Sequence, residues 1–223
     1  MSERSYKPIA TADLRRLAVL AEADRADLFR RKPETGHLYS KRLFAVALCQ
    51  GAALHYLDGR NGIKDFDVWS FYRAHSKRQF PPRRNAKVDF GDPKFGTADD
   101  GPDYIGRRVD LIGRSITAED FSDPVAVLRD YLRGRRTESA RHLAEKAMVL
   151  IFPSELLGHV VWPILVTKSI VRTEVNGEPA TVVYIDDNFN LTSQEAATAV
   201  KVMFDNGDVL IGRFDGHDAQ RPA

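Results

Sequence analysis

The spacing of apolar residues divides the chain into a first part that mixes helices with strands and a second part built mostly of strands. Leucine and alanine recur at helical spacing over Thr11–Arg31, which predicts one long helix. The apolar run Ser40–Leu48 fits either a helix end or a buried strand, and the small-residue turn Gly51-Ala52 after it favours a strand. The amphipathic segment Ala53–Asp58 then predicts a short helix.

Two more strands and two more helices follow in the first part. Asp65–Tyr72 is rich in Phe, Val, Trp and Tyr, which favours a strand, and Arg107–Ile116 predicts another. A basic, proline-containing segment, His75–Lys94, is expected to connect them as a loop. Apolar spacing then predicts helices over Asp123–Arg133 and Glu138–Ile151.

The second part carries two strong hairpin signals, Asn176-Gly177 and Asn206-Gly207. The strands predicted around them are Ile164–Glu174, Ala180–Ile185, Val200–Phe204 and Val209–Phe214, with a short helix at Ser193–Thr198. We therefore expect a mixed α/β protein with two domains. Residues 1–162 would form a mixed sheet backed by helices, and residues 163–223 a small antiparallel β unit.

Acidic residues inside the predicted strands are the most informative chemical feature. Asp65 and Asp67 are two positions apart in one strand, so their side chains project from the same face. Two like charges held together require a compensating cation, and carboxylates favour a metal that prefers oxygen ligands. Asp110, in the strand Arg107–Ile116, is a candidate for a third ligand. Asp89 is the alternative, and we prefer Asp110 because its segment is the better strand.

Composition and charge narrow the classes of protein that fit. The 223 residues are 43% hydrophobic and 29% charged, as in ordinary globular proteins. Residues 1–116 carry a net charge of +7 and residues 117–223 one of −5, so positive charge collects around the aspartates, which suits an anionic substrate. No apolar run reaches the roughly 20 residues of a membrane helix. With its charged N-terminus and single cysteine, the chain is expected to be cytoplasmic.

The order Gly51-Ala52, Asp65-x-Asp67 and Asp110, over roughly residues 43–116, resembles the nucleotidyltransferase superfamily, whose minimal fold is that of DNA polymerase beta. The resemblance implies a small mixed sheet backed by helices and transfer of a nucleoside monophosphate from a nucleoside triphosphate, such as ATP, to a hydroxyl group. Two Mg²⁺ ions would be held by Asp65, Asp67 and Asp110. Asp110 would complete the site of the ion that activates the attacking hydroxyl.

The resemblance also implies a nucleotide-binding set consisting of Gln50, Gly51, Ala52 and Lys64. Gly51 would allow the triphosphate to approach the backbone closely, next to a helix N-terminus that favours anions. Two positions depart from the family pattern. Ala52 stands where Gly or Ser is usual, and Gln50 stands where an apolar residue is common. An amide side chain at position 50 could contact the substrate.

Three functional hypotheses follow from these patterns. The first is a magnesium-dependent nucleotidyltransferase whose acceptor is a protein, an RNA or a small-molecule hydroxyl. The second is a catalytically inactive binding protein on the same fold, such as a regulatory partner in a toxin–antitoxin pair, and Ala52 motivates it. The third is a nucleic-acid-binding module, in which cations of Lys77–Lys87 contact phosphates while Phe80, Phe90 and Phe95 stack on bases.

Overall fold

The computed structural model describes residues 4–81, 83–96, 106–163, 169–187 and 191–214, and of residues 83, 84 and 172 the backbone only. Contacts divide the chain into two compact units, Met1–Val161 and Trp162–Ala223. This division falls one residue before the domain boundary expected from the sequence. Within the described residues, no helix has the length and apolar character needed to cross a membrane.

The first unit contains five helices and six strands in its described part. The helices are α1 (Thr11–Arg31), α2 (Pro33–Tyr39), α3 (Gln50–Asp58), α4 (Pro124–Gly134) and α5 (Glu138–Leu143). The strands are β1 (Leu43–Cys49), β2 (Phe66–Arg73), β3 (Arg83–Asp89), β4 (Arg108–Ile116), β5 (Ala147–Phe152) and β6 (Val160–Trp162). Trp162, the last residue of β6, already belongs to the second unit.

These six strands form one mixed sheet in the order β3-β4-β2-β1-β5-β6. The neighbouring strands β2 and β4 are parallel, whereas β1 is antiparallel to both β2 and β5. A sheet buried on both faces has nearly continuous apolar strands, and β1 fits this description because Phe44 to Cys49 are all buried. The sheet therefore forms the centre of the first unit.

Helix α1 covers one face of the sheet. Its residues Asp24 and Leu28 line a small void together with Ser70 and Tyr72 of β2 and Leu111 of β4. The other face carries Phe71, whose ring lies 6.4 Å from that of Tyr131 in α4. Because side chains alternate along a strand, Asp67 and Asp110 project from the face opposite α1.

The mixed α/β class expected from the sequence is confirmed, and so are most of the predicted elements. Helix α1 has the predicted bounds, and β1, β2, β4 and α4 lie within one to three residues of theirs. Helix α3 begins at Gln50, three residues before its predicted start. A second helix that was not predicted, α2, follows α1 and contains Pro33 and Gly36.

Two predictions for the first unit were wrong. The segment Glu138–Ile151 is not one helix: α5 ends at Leu143 and the apolar run from Ala147 forms β5. This run is paired with β1 inside the sheet, and a fully buried strand has no alternation to distinguish it from a helix. The connection His75–Lys94 is also not all loop. After its two prolines it forms a strand, β3, which pairs with β4.

The second unit is a four-stranded antiparallel sheet in its described part, with the order β10-β9-β8-β7. Its strands are β7 (Ile170–Val175), β8 (Glu178–Ile185), β9 (Ala199–Phe204) and β10 (Val209–Arg213). Both predicted hairpins are present, and a 3₁₀ turn at Gln194–Ala196 replaces the short helix. Residues 164–168 of the predicted strand Ile164–Glu174 lie outside the described residues.

Candidate active site

The predicted acidic residues meet at one edge of the large sheet, where β1 ends and β2, β4 and β5 begin. Asp67 is the cross-strand partner of Cys49 on one side and of Asp110 on the other. Cross-strand partners point to the same face of a sheet, and neighbouring strands lie about 4.8 Å apart. The pairing therefore places Asp67 and Asp110 side by side, although 43 residues separate them in the chain.

Arg108 and the three aspartates occupy four neighbouring positions, two on β4 and two at or just before the start of β2. Arg108 lies two residues before Asp110 on β4, as Asp65 lies two residues before Asp67. Its Nη2 atom donates to Oδ2 of Asp65 at 3.0 Å, and its Nε atom is 3.6 Å from Oδ1 of Asp110. We call Asp65, Asp67 and Asp110 the carboxylate cluster. Arg108 is a cation supplied to that cluster by the chain itself.

The carboxylate cluster is largely removed from water. Asp110 has no exposed surface, and Asp67 is half-buried. The neighbouring Cys49 thiol is buried as well. Burial raises its pKa well above the ordinary value, and the negative charge of Asp67 raises the pKa further. Among the described residues, three acidic side chains of the cluster share the guanidinium of Arg108. The site therefore attracts further positive charge.

The geometry also separates the two candidates for the third carboxylate. Asp89 is the cross-strand partner of Arg108, on the side away from Asp65. Its Oδ1 atom accepts a hydrogen bond from the Gly91 amide at 2.5 Å, and its Oδ2 atom accepts one from the Gly106 amide at 3.1 Å. Asp89 thus holds two backbone segments together, whereas Asp110 lies directly beside Asp67. The geometry favours Asp110.

The turn Gln50-Gly51-Ala52 lies next to Asp67, because it follows Cys49 directly. Gln50 adopts a positive φ of 60°, is buried, and donates its side-chain amide to the His142 carbonyl at 2.7 Å. The side chain that was expected to contact substrate therefore bonds within the fold. Ala52 is buried as well. Gly51 differs from both, since a Cβ built on it would have no atom of the described residues within 4 Å.

The segment before Asp65 is held by an arginine that sequence reasoning missed. Arg107 is buried and donates to the Phe95 carbonyl at 2.7 Å through Nη2 and at 3.2 Å through Nε. Its Nη1 atom also reaches the Lys64 carbonyl at 3.4 Å. The side chain of Lys64 itself is exposed. Arg107 therefore fixes the backbone that leads into Asp65, while Lys64 presents its ammonium group to solvent.

A signal for both arginines was present in the sequence. The chain reads Arg107-Arg108-Val109-Asp110, so strand alternation places Arg108 on the face of Asp110 and turns Arg107 to the other face. Arg108 could have been found by applying to this strand the same two-residue rule that was applied to Asp65 and Asp67. The partners of Arg107 could not have been found in this way, because Phe95 lies in a 3₁₀ turn, Pro93–Phe95, within a segment that was predicted as a loop.

The donor chemistry of the carboxylate cluster fits Mg²⁺ or Mn²⁺, since every candidate ligand atom is a carboxylate oxygen. Within the described parts of the chain, however, no three His, Cys, Asp or Glu side chains are grouped closely enough to hold an ion as they stand. The guanidinium of Arg108 bonds to Asp65 and lies beside Asp110. The type of the candidate ligands and the sheet face they share fit the metal.

The basic segment Lys77–Lys87 lacks the stacking surface that the nucleic-acid hypothesis requires. All three phenylalanines interleaved with it, Phe80, Phe90 and Phe95, are buried. Phe80 packs against Tyr39 and Tyr72, with ring centroids 5.1 and 4.2 Å apart. Pro82 and the side chains of residues 83 and 84 lie outside the described parts. The aromatic half of the predicted interface is therefore core.

We compared the chain with known proteins by family models, by curated sequences and by solved structures, and no match was found in any of the three. The function proposed for the protein therefore relies on the residues and geometry of this chain and on the motif resemblance.

Proposed function

We propose that the protein is a metal-dependent nucleotidyltransferase that moves a nucleoside monophosphate from a nucleoside triphosphate to a hydroxyl acceptor. One observation carries the proposal, namely the cross-strand pairing of Asp67 with Asp110. It joins the Asp-x-Asp pair to a third carboxylate on a parallel neighbouring strand. Burying like charges together lowers stability, so a fold that does so has a use for the cation they attract.

The carboxylate cluster would hold two Mg²⁺ ions, whose chemistry is to stabilise the negative charge that develops on the entering and leaving oxygens. The chain itself orients the acids. Sheet pairing fixes Asp67 against Asp110, and Arg107 fixes the backbone ahead of Asp65. In the transfer, the acceptor oxygen forms a bond to the α-phosphorus, the bond to the bridging oxygen breaks, and pyrophosphate leaves. A carboxylate of the cluster takes the acceptor's proton.

Gly51 would allow the triphosphate to lie against the start of α3. The open space at its Cα is the supporting observation, since a side chain there would occupy the approach to the backbone amides. The exposed ammonium group of Lys64 would add positive charge ahead of Asp65. Ala52 would contribute only its backbone, because its methyl group is buried.

A transfer assay tests the proposal directly. Protein, Mg²⁺ and each α-labelled triphosphate would be incubated with the protein itself, a pool of RNA and a set of small-molecule alcohols. The double variant Asp65→Asn/Asp67→Asn should lose transfer by at least about a thousandfold, the order expected when charge stabilisation is removed. Asp58→Asn, which changes an acid outside the cluster, should transfer at the wild-type rate. A double Asn variant as active as wild type would refute the mechanism.

Three more variants refine the assignment of residues. Asp110→Asn should abolish transfer, whereas Asp89→Asn should reduce stability and leave the rate per folded molecule near that of wild type. Gly51→Ala should fold normally, because its Cβ meets no described atom, but should weaken triphosphate binding. Unchanged triphosphate affinity in Gly51→Ala would remove Gly51 from the binding site.

A non-catalytic binding protein on the same fold is the second candidate, and Ala52 favours it. The buried methyl group supplies no hydroxyl where the family pattern usually has serine or an open glycine. Titration calorimetry with Mg²⁺ and each of the four common triphosphates separates the two candidates. Binding of one triphosphate with Mg²⁺ supports the enzyme, and heat changes with none of the four support the binding protein.

A further inference from the structure

Arg108 occupies a distinctive position, because it provides the positive charge within the carboxylate cluster. It bonds to Asp65 at 3.0 Å and lies 3.6 Å from Asp110. Its side chain is 26% exposed, whereas Asp110 is fully buried. The arginine side chain is thus partly exposed, whereas the carboxylate that its Nε atom approaches is not.

A divalent ion bound by these carboxylates would need the same oxygen atoms that Arg108 now contacts. An arginine cannot lose its charge at any ordinary pH, so it cannot yield its place by deprotonation. A metal ion must therefore compete with it. Like charges also repel, and a guanidinium held a few ångströms from the ion would weaken ion binding further.

We propose that Arg108 is a positioning residue that competes with the metal for Asp65 and Asp110. In the metal-free protein it keeps the three aspartates compatible with one another, and it lowers the metal affinity of the cluster. The site then holds an ion well only when a polyphosphate brings its own negative charge and gives the guanidinium a new partner. This inference rests on the proposed metal site and adds a residue that tunes it.

The test measures Mn²⁺ binding by electron paramagnetic resonance of the free ion, at neutral pH and without nucleotide. Arg108→Gln should bind Mn²⁺ about tenfold more tightly than wild type, a difference of about 1.4 kcal/mol. Arg133→Gln is the matched control, because Arg133 is also 3.6 Å from an aspartate, Asp130, but outside the cluster. It should bind Mn²⁺ as wild type does. Asp67→Asn should lose binding.

Melting temperatures provide a second measurement in case Arg108→Gln is unstable. Without metal, Arg108→Gln should melt below wild type, because the carboxylate cluster then lacks the guanidinium that bonds to Asp65. Mn²⁺ should raise its melting temperature more than it raises that of wild type, and Arg108→Lys, which keeps the charge, should fall between the two.

The outcomes separate the inference from the proposed function. Equal or weaker Mn²⁺ affinity in Arg108→Gln, with binding still lost in Asp67→Asn, would overturn the inference and leave the metal site in place. Binding by none of the variants, or equal binding by Asp67→Asn, would overturn both.

Discussion

The large sheet of the first unit and the small sheet of the second treat charge and burial in opposite ways. In the large sheet, the interior strands β2 and β4 carry half-buried Asp67 and fully buried Asp110 as direct neighbours. In the small sheet, β10 is exposed along its whole length and yet carries Val209, Leu210 and Ile211. The large sheet thus carries acidic side chains at partly or fully buried positions. The small sheet carries apolar side chains at exposed positions.

We interpret the acidic residues of the large sheet as serving the proposed function, and the small sheet as following local turn preferences. Buried like charges reduce stability and persist where they serve a purpose. The small sheet instead follows turn chemistry, with two Asn-Gly loops joining antiparallel neighbours. The following experiments test that difference, in descending order of expected effect.

Phe66→Ala should destabilise the first unit strongly, because it removes a ring from the core beneath the carboxylate cluster. Phe66 lies between Asp65 and Asp67, is fully buried, and has ring centroids 5.2 Å from those of both Phe90 and Phe95. We expect a loss of about 3–5 kcal/mol in the free energy of unfolding. Leu210→Ala is the counterpart in the small sheet, where the side chain is 58% exposed, and should change it by less than about 0.5 kcal/mol. Denaturant titration measures both, and equal losses would contradict the contrast.

Gly177→Ala should destabilise the second unit through backbone strain alone. Gly177 has a φ of +80°, and a Cβ there would meet no described atom within 4 Å. Holding alanine in the left-handed region costs about 1–2 kcal/mol. Gly51→Ala is the control in the first unit, because Gly51 is not among the positive-φ glycines, and its stability should be unchanged. Thermal melting of the two variants distinguishes them, and a loss in Gly51→Ala would be contrary evidence.

Alkaline pH should destabilise the first unit through Cys49. Burial and the charge of Asp67 raise the pKa of this thiol in the folded protein, so its contribution is complete below the unfolded pKa and declines above it. The free energy of unfolding should therefore fall as pH rises above about 8.5, by up to about 1.4 kcal/mol per pH unit. Cys49→Ala should show a shallower decline in denaturant titrations between pH 8 and pH 10. Parallel pH profiles would exclude a contribution from Cys49.

Asp67→Asn should raise the stability of the metal-free protein although it abolishes the proposed activity. The substitution removes one of the like charges beside fully buried Asp110. We expect a gain of about 0.5–1 kcal/mol, typical of relieving a functional constraint. Asp208→Asn, in the exposed turn before β10, should change stability by no more than about 0.5 kcal/mol. A destabilised Asp67→Asn protein would show that Asp67 serves the fold instead.

The same contrast explains how much of the structure could be predicted from the sequence. Both hairpins of the second unit were predicted because Asn176-Gly177 and Asn206-Gly207 determine their turns locally. In the first unit, β5 was predicted as helix and β3 as loop, because each is a strand only through its pairing with a distant partner. The residue pattern of one segment does not show which distant segment it pairs with.

The site was predictable where strand alternation sufficed. Asp65 and Asp67 were chosen from their spacing and Asp110 from its place in a predicted strand, and the structure pairs Asp67 with Asp110. The partner of Gln50 was not predictable, because His142 belongs to a helix 92 residues away in the chain. Arg108 was not singled out, because the basic residues of the first half were considered together as positive charge suited to an anionic substrate. Its role depends on the register of β2 against β4, which no single segment encodes.

A crystal grown with Mn²⁺ and a non-hydrolysable triphosphate would test the central claim most directly, through anomalous scattering at the manganese edge. We expect two anomalous peaks at the carboxylate cluster, each within coordination distance of its carboxylate oxygens. The triphosphate should lie beside Gly51, and Arg108 should have left Asp65. Ordered triphosphate with no ion at these carboxylates, or with Arg108 still bonded to Asp65, would contradict the account.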